Sequence, residues 1–388
     1  MFDLCYGDSI TFHDTFNGDL TSEIIFQLIG AIERGFTKLY LNDSFNKSID
    51  SLENLKLTHI NTGHIFNQPV NNLPKTLQCI EFGNCFNQPI LVMPESIETI
   101  IFGIQFNQPI NGNLPFKLKK LTLKTYFNQE LIGLPESLET LYLYTSHFDK
   151  SLNHLPSQLH TLFIGMSYNI HIIIFPKHLT HLYLTYNYNQ DIDNLPDTLL
   201  YLQLGDKFNM PINKYPSSLL EIYFGHKFNQ PINNLPPKLQ RLTLNQDFNQ
   251  PIDNLPDSLQ IITFLDCRNF NYPLANLPAN LRELHLHTLY NNTIDFLPPG
   301  LVTLTLSKKF NQPLDNLPHL KHLAINSYKY QHELNNLPDT IKKLKLPREY
   351  DIPISKIPAN LKEIKCSKKY EYQDIFKTNN IYISYVCY

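Results

Sequence analysis

FGHKFNQPINNLPPKLQRLTL, residues 224–244, decides the fold. Its last six residues space Leu239, Leu242 and Leu244 as LxxLxL. That spacing fits a short strand that buries alternate side chains and turns the ones between them outward. Upstream, Pro231 and Pro236 fall within a few residues of each other. Proline lacks the amide proton and clashes with a preceding turn, so no helix fits between the strands. Extended segments and tight turns must carry the chain back to the next strand. Phe228, Ile232, Leu235, Leu239, Leu242 and Leu244 are the six inward positions of the unit.

The unit recurs along most of the chain. From Phe45 to Tyr370 an aromatic ring returns seventeen times, and twelve of the sixteen gaps are twenty residues, three are twenty-one and one is twenty-two. A constant period of this length marks a tandem array in which each coil lays its strand beside the previous one, about 4.8 Å away. The expected fold is therefore mainly β: a parallel β-solenoid with coils of about 20 residues and few helices. The residue after each ring is Asn at thirteen of the seventeen positions; Asp149, Gln331, Asp351 and Glu371 are the exceptions. An amide offers donors and an acceptor together, so a buried column of Asn is expected to tie each coil to its neighbour.

The segments FNQPINNLP (228–236), FNQPIDNLP (248–256) and FGNCFNQPI (82–90) resemble the FNIP, or FGxxFN, class of leucine-rich repeat. The resemblance covers roughly residues 45–370. The class is known from social amoebae and from giant viruses of protists. It implies a leucine-rich-repeat solenoid that works as a noncatalytic protein-interaction scaffold with a concave sheet surface, in host interaction or signalling. Some amoebal relatives add an F-box or a kinase domain, and no segment here is large enough to be a kinase.

Three regions are expected. Residues 1–44 form an N-terminal cap, where Phe16-Asn17 opens an irregular repeat of twenty-nine residues. Within it, Thr21-Ser22-Glu23 followed by Ile24, Ile25, Leu28, Ile29 and Ile32 predicts a capped amphipathic helix covering the first open coil. Residues 45–370 are the repeat array, and 371–388 a strand-like cap, because Ile381 to Tyr388 alternates apolar and polar residues. Either cap can exchange with a second copy, so self-assembly through a homodimer is the main alternative function; a substrate-recognition adaptor is a further one.

Composition narrows the partners. Lys and Arg total 32 against 35 Asp and Glu, for a net charge of −3, which gives no overall field to draw in nucleic acid or an anionic membrane. The partner is expected to be a protein, with no membrane or cofactor. The start of the chain carries Asp3 and Asp8 and no apolar run, unlike a secretory signal. The six cysteines show no metal-ligand pairing and are read as reduced thiols, Cys5 and Cys387 being the ones open to a redox or intermolecular role. These features predict a soluble intracellular protein, cytoplasmic in its host or source cell.

Candidate contact residues lie between the periodic ones. The outward position between the last two leucines reads Tyr142, Phe163, Tyr183 and Tyr223 in the middle of the array, with Tyr201 beside them. Aromatic side chains of this kind are enriched at protein interfaces, and they also stack on each other in sheets without any ligand. Lys343, Lys345 and Lys365 belong to a second candidate, a segment from Lys342 to Lys369 with nine basic and three acidic residues. Glu283, His285 and His287 alternate on one strand, but Thr303, Thr305 and Ser307 beside them supply no third ligand, so no metal is predicted. No GxSxG, P-loop or paired metal motif points to catalysis.

Overall fold

A computed structural model describes residues 2–5 and 7–386. The chain divides into two compact units, residues 1–199 and 200–388. Each is a stack of coils whose short strands pair in parallel, apart from one antiparallel pair in the first unit.

In the first unit, β1 (Phe2–Cys5) runs antiparallel to β2 (Ser9–Phe12). Helix α1 (Ser22–Glu33) then connects β2 to β3 (Lys38–Tyr40), which pairs with β2 in parallel. The remaining rungs are β4 (His59–Asn61), β5 (Cys79–Glu81), β6 (Thr99–Ile101), β7 (Lys120–Thr125), β8 (Thr140–Thr145), β9 (Thr161–Ile164) and β10 (His181–Leu184). In the second unit the order is β11 (Tyr201–Gln203), β12 (Glu221–Tyr223), β13 (Arg241–Leu244), β14 (Ile261–Leu265), β15 (Glu283–His287) and β16 (Thr303–Leu306). It continues with β17 (His322–Ile325), β18 (Lys343–Lys345), β19 (Glu363–Cys366), the short helix α2 (Asp374–Thr378) and β20 (Tyr382–Tyr385).

Register follows the repeat. Ile222 pairs with Leu242, and Leu242 with Ile262, so the strands from β2 to β19 bury the same two repeat positions. All six inward positions of the unit at 224–244 are buried, from Phe228 through Leu244. An apolar-Pro step closes a turn before most strands of the array: Leu239 N–H donates to the Pro236 carbonyl at 3.1 Å, and the same bond recurs at Leu77, Leu118 and Leu259.

The periodic rings stack inside each unit. In the first, Phe45 and Phe66 lie 6.4 Å apart, Phe66 and Phe86 6.0 Å, and Phe106 and Phe127 6.1 Å, with planes within 10° of parallel. These separations exceed the strand spacing of about 4.8 Å, so the rings slide past one another as offset stacks, the arrangement their quadrupoles favour. A second ring joins where the coil reads FGxxF: Phe82 lies 4.0 Å from Phe86 and Phe224 3.9 Å from Phe228. The glycine of that motif has a steric cause. A Cβ on Gly83 would fall 1.5 Å from the Gly63 carbonyl oxygen, and one on Gly225 would fall 2.1 Å from that of Gly205.

The asparagine column forms, but half-buried to exposed rather than buried. Asn67 Oδ1 accepts the Asn87 backbone N–H at 2.9 Å and Asn87 Oδ1 accepts that of Asn107 at 2.9 Å; in the second unit Asn209 and Asn229 do the same for Asn229 and Asn249. Where Gln follows the Asn it can add a bond, as from Gln88 Nε2 to the Asn67 carbonyl at 3.1 Å. Each side chain sits at the edge of its coil, where water reaches part of it, because only the preceding ring turns inward.

The ends depart from the sequence reading in detail. Helix α1 occupies the outer wall of a coil, in place of the prolines, and Phe16 before it stacks on Phe45 at 6.1 Å. Thr21 makes no side-chain cap bond, and the buried face is Ile24, Leu28 and Ala31; Ile29 is 41% exposed and Ile25 and Ile32 are half-buried. The true spacing is four and three residues, which leaves the intervening isoleucines outside. Beyond Tyr370, α2 places Phe376 6.2 Å from Tyr370, so a helical residue continues the ring stack, and β20 adds a parallel rung to β19. Of the predicted terminal strand, Cys387 and Tyr388 lie outside the described residues.

Candidate protein-interaction surface

Strand alternation creates the surface. In the first unit the outward column runs Asn61, Glu81, Ile101, Thr122, Tyr142, Phe163 and Tyr183, each paired with the next in register. The aromatic members converge. Phe163 lies 6.3 Å from Tyr142 and 6.0 Å from Tyr183, and Lys120 Nζ stands 5.4 Å above the Tyr142 ring. All three rings are half-buried by this mutual packing.

Tyr144 completes the cluster, and the sequence reading passed over it. Strand β8 runs six residues, so the alternation presents a third outward position beyond the leucine pair. The signal was the continued alternation of LYLYT from Leu141 to Thr145. Tyr144 packs 4.5 Å from Phe163 and 5.5 Å from Tyr142, yet 45% of it remains exposed. Burial, followed by the neighbouring Tyr142 and Tyr183, pushes its hydroxyl above the ordinary tyrosine range. Met166 and Tyr186, at the exits of the next two strands, are also exposed.

Tyr201 and Tyr223 lie in the second unit, on β11 and β12. Their register differs: Tyr201 pairs with Glu221, whereas Tyr223 pairs with Gln203. The Tyr223 hydroxyl accepts a bond from the buried Asn245 Nδ2 at 2.8 Å, and the Tyr201 hydroxyl lies 3.3 Å from Gln203 Oε1. Tyr223 therefore also supports the fold, with burial as the main cause that raises its hydroxyl pKa.

The same outward column continues as Thr243, Thr263, His285, Thr305, Ala324, Lys345 and Lys365. Here the three basic candidates separate. Lys343 Nζ is 2.9 Å from Glu363 on the next rung, so its charge is matched. Lys365 is exposed. Lys345 is half-buried and donates to Asn326 Oδ1 at 2.6 Å; burial first, then Lys365, lowers its pKa. Lys345 also lines a pocket of about 240 Å3 with Lys308 and Arg348.

Glu283, His285 and His287 share one face of β15 as expected. His285 Nε2 sits 3.1 Å from Glu283 Oε2 and its Nδ1 3.0 Å from Thr305 Oγ1, while the two imidazoles lie parallel at 6.0 Å. Both nitrogens of His285 already have protein partners. Among the described residues no group of three or more His, Cys, Asp or Glu is placed to hold a metal ion.

Three of the described thiols, Cys79, Cys267 and Cys366, are buried. Burial raises Cys79 to about 11 and Cys267 to about 12, and Cys267 Sγ donates to the Asn245 carbonyl at 3.1 Å. The side chains of Cys5 and Cys387 lie outside the described residues. Among the described residues no helix is long and apolar enough to cross a membrane.

The FNIP Repeat family model matches residues 86–126, 168–207 and 228–267. Among solved structures, the chain is similar to CroV588 of the giant virus CroV, described as a novel circular leucine-rich-repeat protein. They share 26% identity over 99% of this chain and 70% of that one, with a TM-score of 0.69. It is also similar in fold to YopM from Yersinia enterocolitica WA-314, at 18% identity over 91% of this chain and 88% of YopM, with a TM-score of 0.51. Among curated proteins no sequence match is found.

Proposed function

We propose that this chain, an array of FNIP-type leucine-rich repeats, is a noncatalytic scaffold that binds a protein partner through the aromatic cluster on the strand face of its first unit. Leucine-rich-repeat solenoids commonly serve protein–protein interaction, and the observation that carries the reading is Tyr144. It is held between two rings, stacked on Tyr142 and tilted against Phe163, and still presents nearly half its surface. An anchor of this kind loses little conformational freedom on binding, which is why interface hot spots favour tyrosine. Lys120 beside Tyr142 adds a cation at the edge of the cluster. We propose further that the interaction serves host contact or signalling in the cytoplasm of the host or source cell; the host role is supported by the similarity to CroV588 over 99% of this chain and 70% of that one.

The test is a Tyr144→Ser, Phe163→Ser double variant in proximity labelling, with Asn233→Ser on the outer wall as control. Loss of cross-strand ring contacts should cost about 1–2 kcal/mol, which a melting curve will show to be short of unfolding. The double variant should lose at least one strongly labelled protein that the control retains. An unchanged set of labelled proteins contradicts the proposal.

A further inference from the structure

In the second unit a pocket opens beside Lys345. It spans the exits of four successive strands, from His287 on β15 to Arg348 beyond β18. Lys308, Tyr328 and Arg348 each stand two residues before a periodic ring, at Phe310, Tyr330 and Tyr350, so the repeat brings them side by side at coil spacing. Lys345 approaches from the strand face. The floor is apolar, formed by the inward residues Leu306 and Ile325.

Several lysines of the chain pair with a carboxylate on a neighbouring coil. Lys119 lies 2.9 Å from Glu98, Lys227 2.8 Å from Asp247 and Lys343 2.9 Å from Glu363. No carboxylate lines this pocket, and among the described residues neither Lys308 nor Lys345 forms an ion pair. The imidazole of His287 feels the crowding: burial, then His285, Lys308 and Lys345, all push its pKa down. Two lysines without an ion pair, over an apolar floor, are matched by an anion that brings its own apolar body.

We infer that this pocket binds a phosphomonoester group carried on a compact apolar or aromatic body, with Lys308, Lys345 and Arg348 on the phosphate and Tyr328 beside the body. The volume, about 240 Å3, lies below the roughly 300–1,000 Å3 of sites for drug-sized ligands, which suits one ring with one phosphate. Arg348 offers a planar fork to two phosphate oxygens, and each lysine a point charge. The ligand is a small phosphomonoester or a phosphorylated side chain of a partner, the two sources sharing the same chemistry.

Calorimetric titration of the full chain with phenyl phosphate, phenol, inorganic phosphate, a phosphotyrosine peptide and a single-stranded oligonucleotide tests this. Phenyl phosphate should saturate one site and bind at least about tenfold more tightly than either inorganic phosphate or phenol, since charge-assisted bonds and ring burial then act together. A Lys308→Gln, Arg348→Gln double variant should weaken it at least about tenfold, whereas Lys343→Gln, outside this pocket, should not. A peptide at least tenfold tighter than phenyl phosphate assigns the site to a partner protein; equal affinity assigns it to a small molecule, and both uphold the inference. No saturable binding of phenyl phosphate, equal binding by the double variant, or binding of the oligonucleotide alone overturns it.

Discussion

Tyrosine replaces phenylalanine in the ring column toward the end of the chain, and the hydroxyl changes what the position does. Tyr330 donates to the Gln312 carbonyl at 3.0 Å, Tyr350 to His332 at 3.1 Å and Tyr370 to Ile352 at 2.9 Å, each eighteen residues back on the preceding coil. Phenylalanine fills the same gap with packing alone. The cost is sensitivity to alkali. Burial is the main cause that lifts Tyr290 and Tyr370 to about 12, against an ordinary value near 10. The unfolded chain then releases these protons first, so their contribution is complete below pH ~10 and is lost as pH rises toward ~12. In a spectrophotometric titration these hydroxyls should ionise only together with loss of the β-sheet circular dichroism signal. Ionisation of every tyrosine near pH 10 with the sheet intact would show that the rings are not sealed in.

At the scale of one coil, glycine is dictated by the neighbour rather than by its own turn. A Cβ on Gly83 meets the Gly63 carbonyl, and one on Gly103 falls 2.0 Å from the Gly83 carbonyl oxygen. Gly83→Ala should therefore destabilise the protein by more than about 2 kcal/mol, because two packed backbones must separate. Gly30, inside α1 with no atom within 4 Å of its would-be Cβ, is the counterpart. Gly30→Ala should stabilise by up to about 1 kcal/mol through helix propensity. Urea unfolding of the two variants checks both signs, and equal effects would refute the close-approach account.

Elements also show where sequence was informative. The strands and their register were legible because Leu239, Leu242 and Leu244 recur at fixed spacing, and a one-residue slip would expose every one of them. Helix α2 was not, since five residues are too few to show a helical period. The faces of α1 were misassigned because Ile24, Ile25, Ile29 and Ile32 are alike in hydropathy, and only packing selects Ile24 with Leu28 and Ala31. The half-burial of the Asn column escaped for a related reason. The sequence identifies an amide that bonds to its neighbour, while depth depends on how the coil closes.

For the molecule as a whole, the inward positions are nearly uniform and the outward ones are not. The strand face of the first unit is aromatic around β8 to β10 and that of the second is basic at β18 and β19, although the net charge is only −3. Uniform inside positions are what nearest-neighbour stacking requires, so they carry stability and say nothing of a partner. The aromatic column could be read from sequence, but Tyr144, the residue with exposed surface, needed the length of β8. The basic pocket needed the coil geometry that sets Lys308 beside Lys345 and Arg348.

Site-specific photocrosslinking in the native cell tests the central claim most directly, with the crosslinker placed at Tyr144 in one protein and at Asn233 on the outer wall in another. The account predicts a discrete crosslinked protein from position 144 and none of comparable yield from position 233. The same crosslinked protein from both positions, or a product from 233 alone, would contradict it.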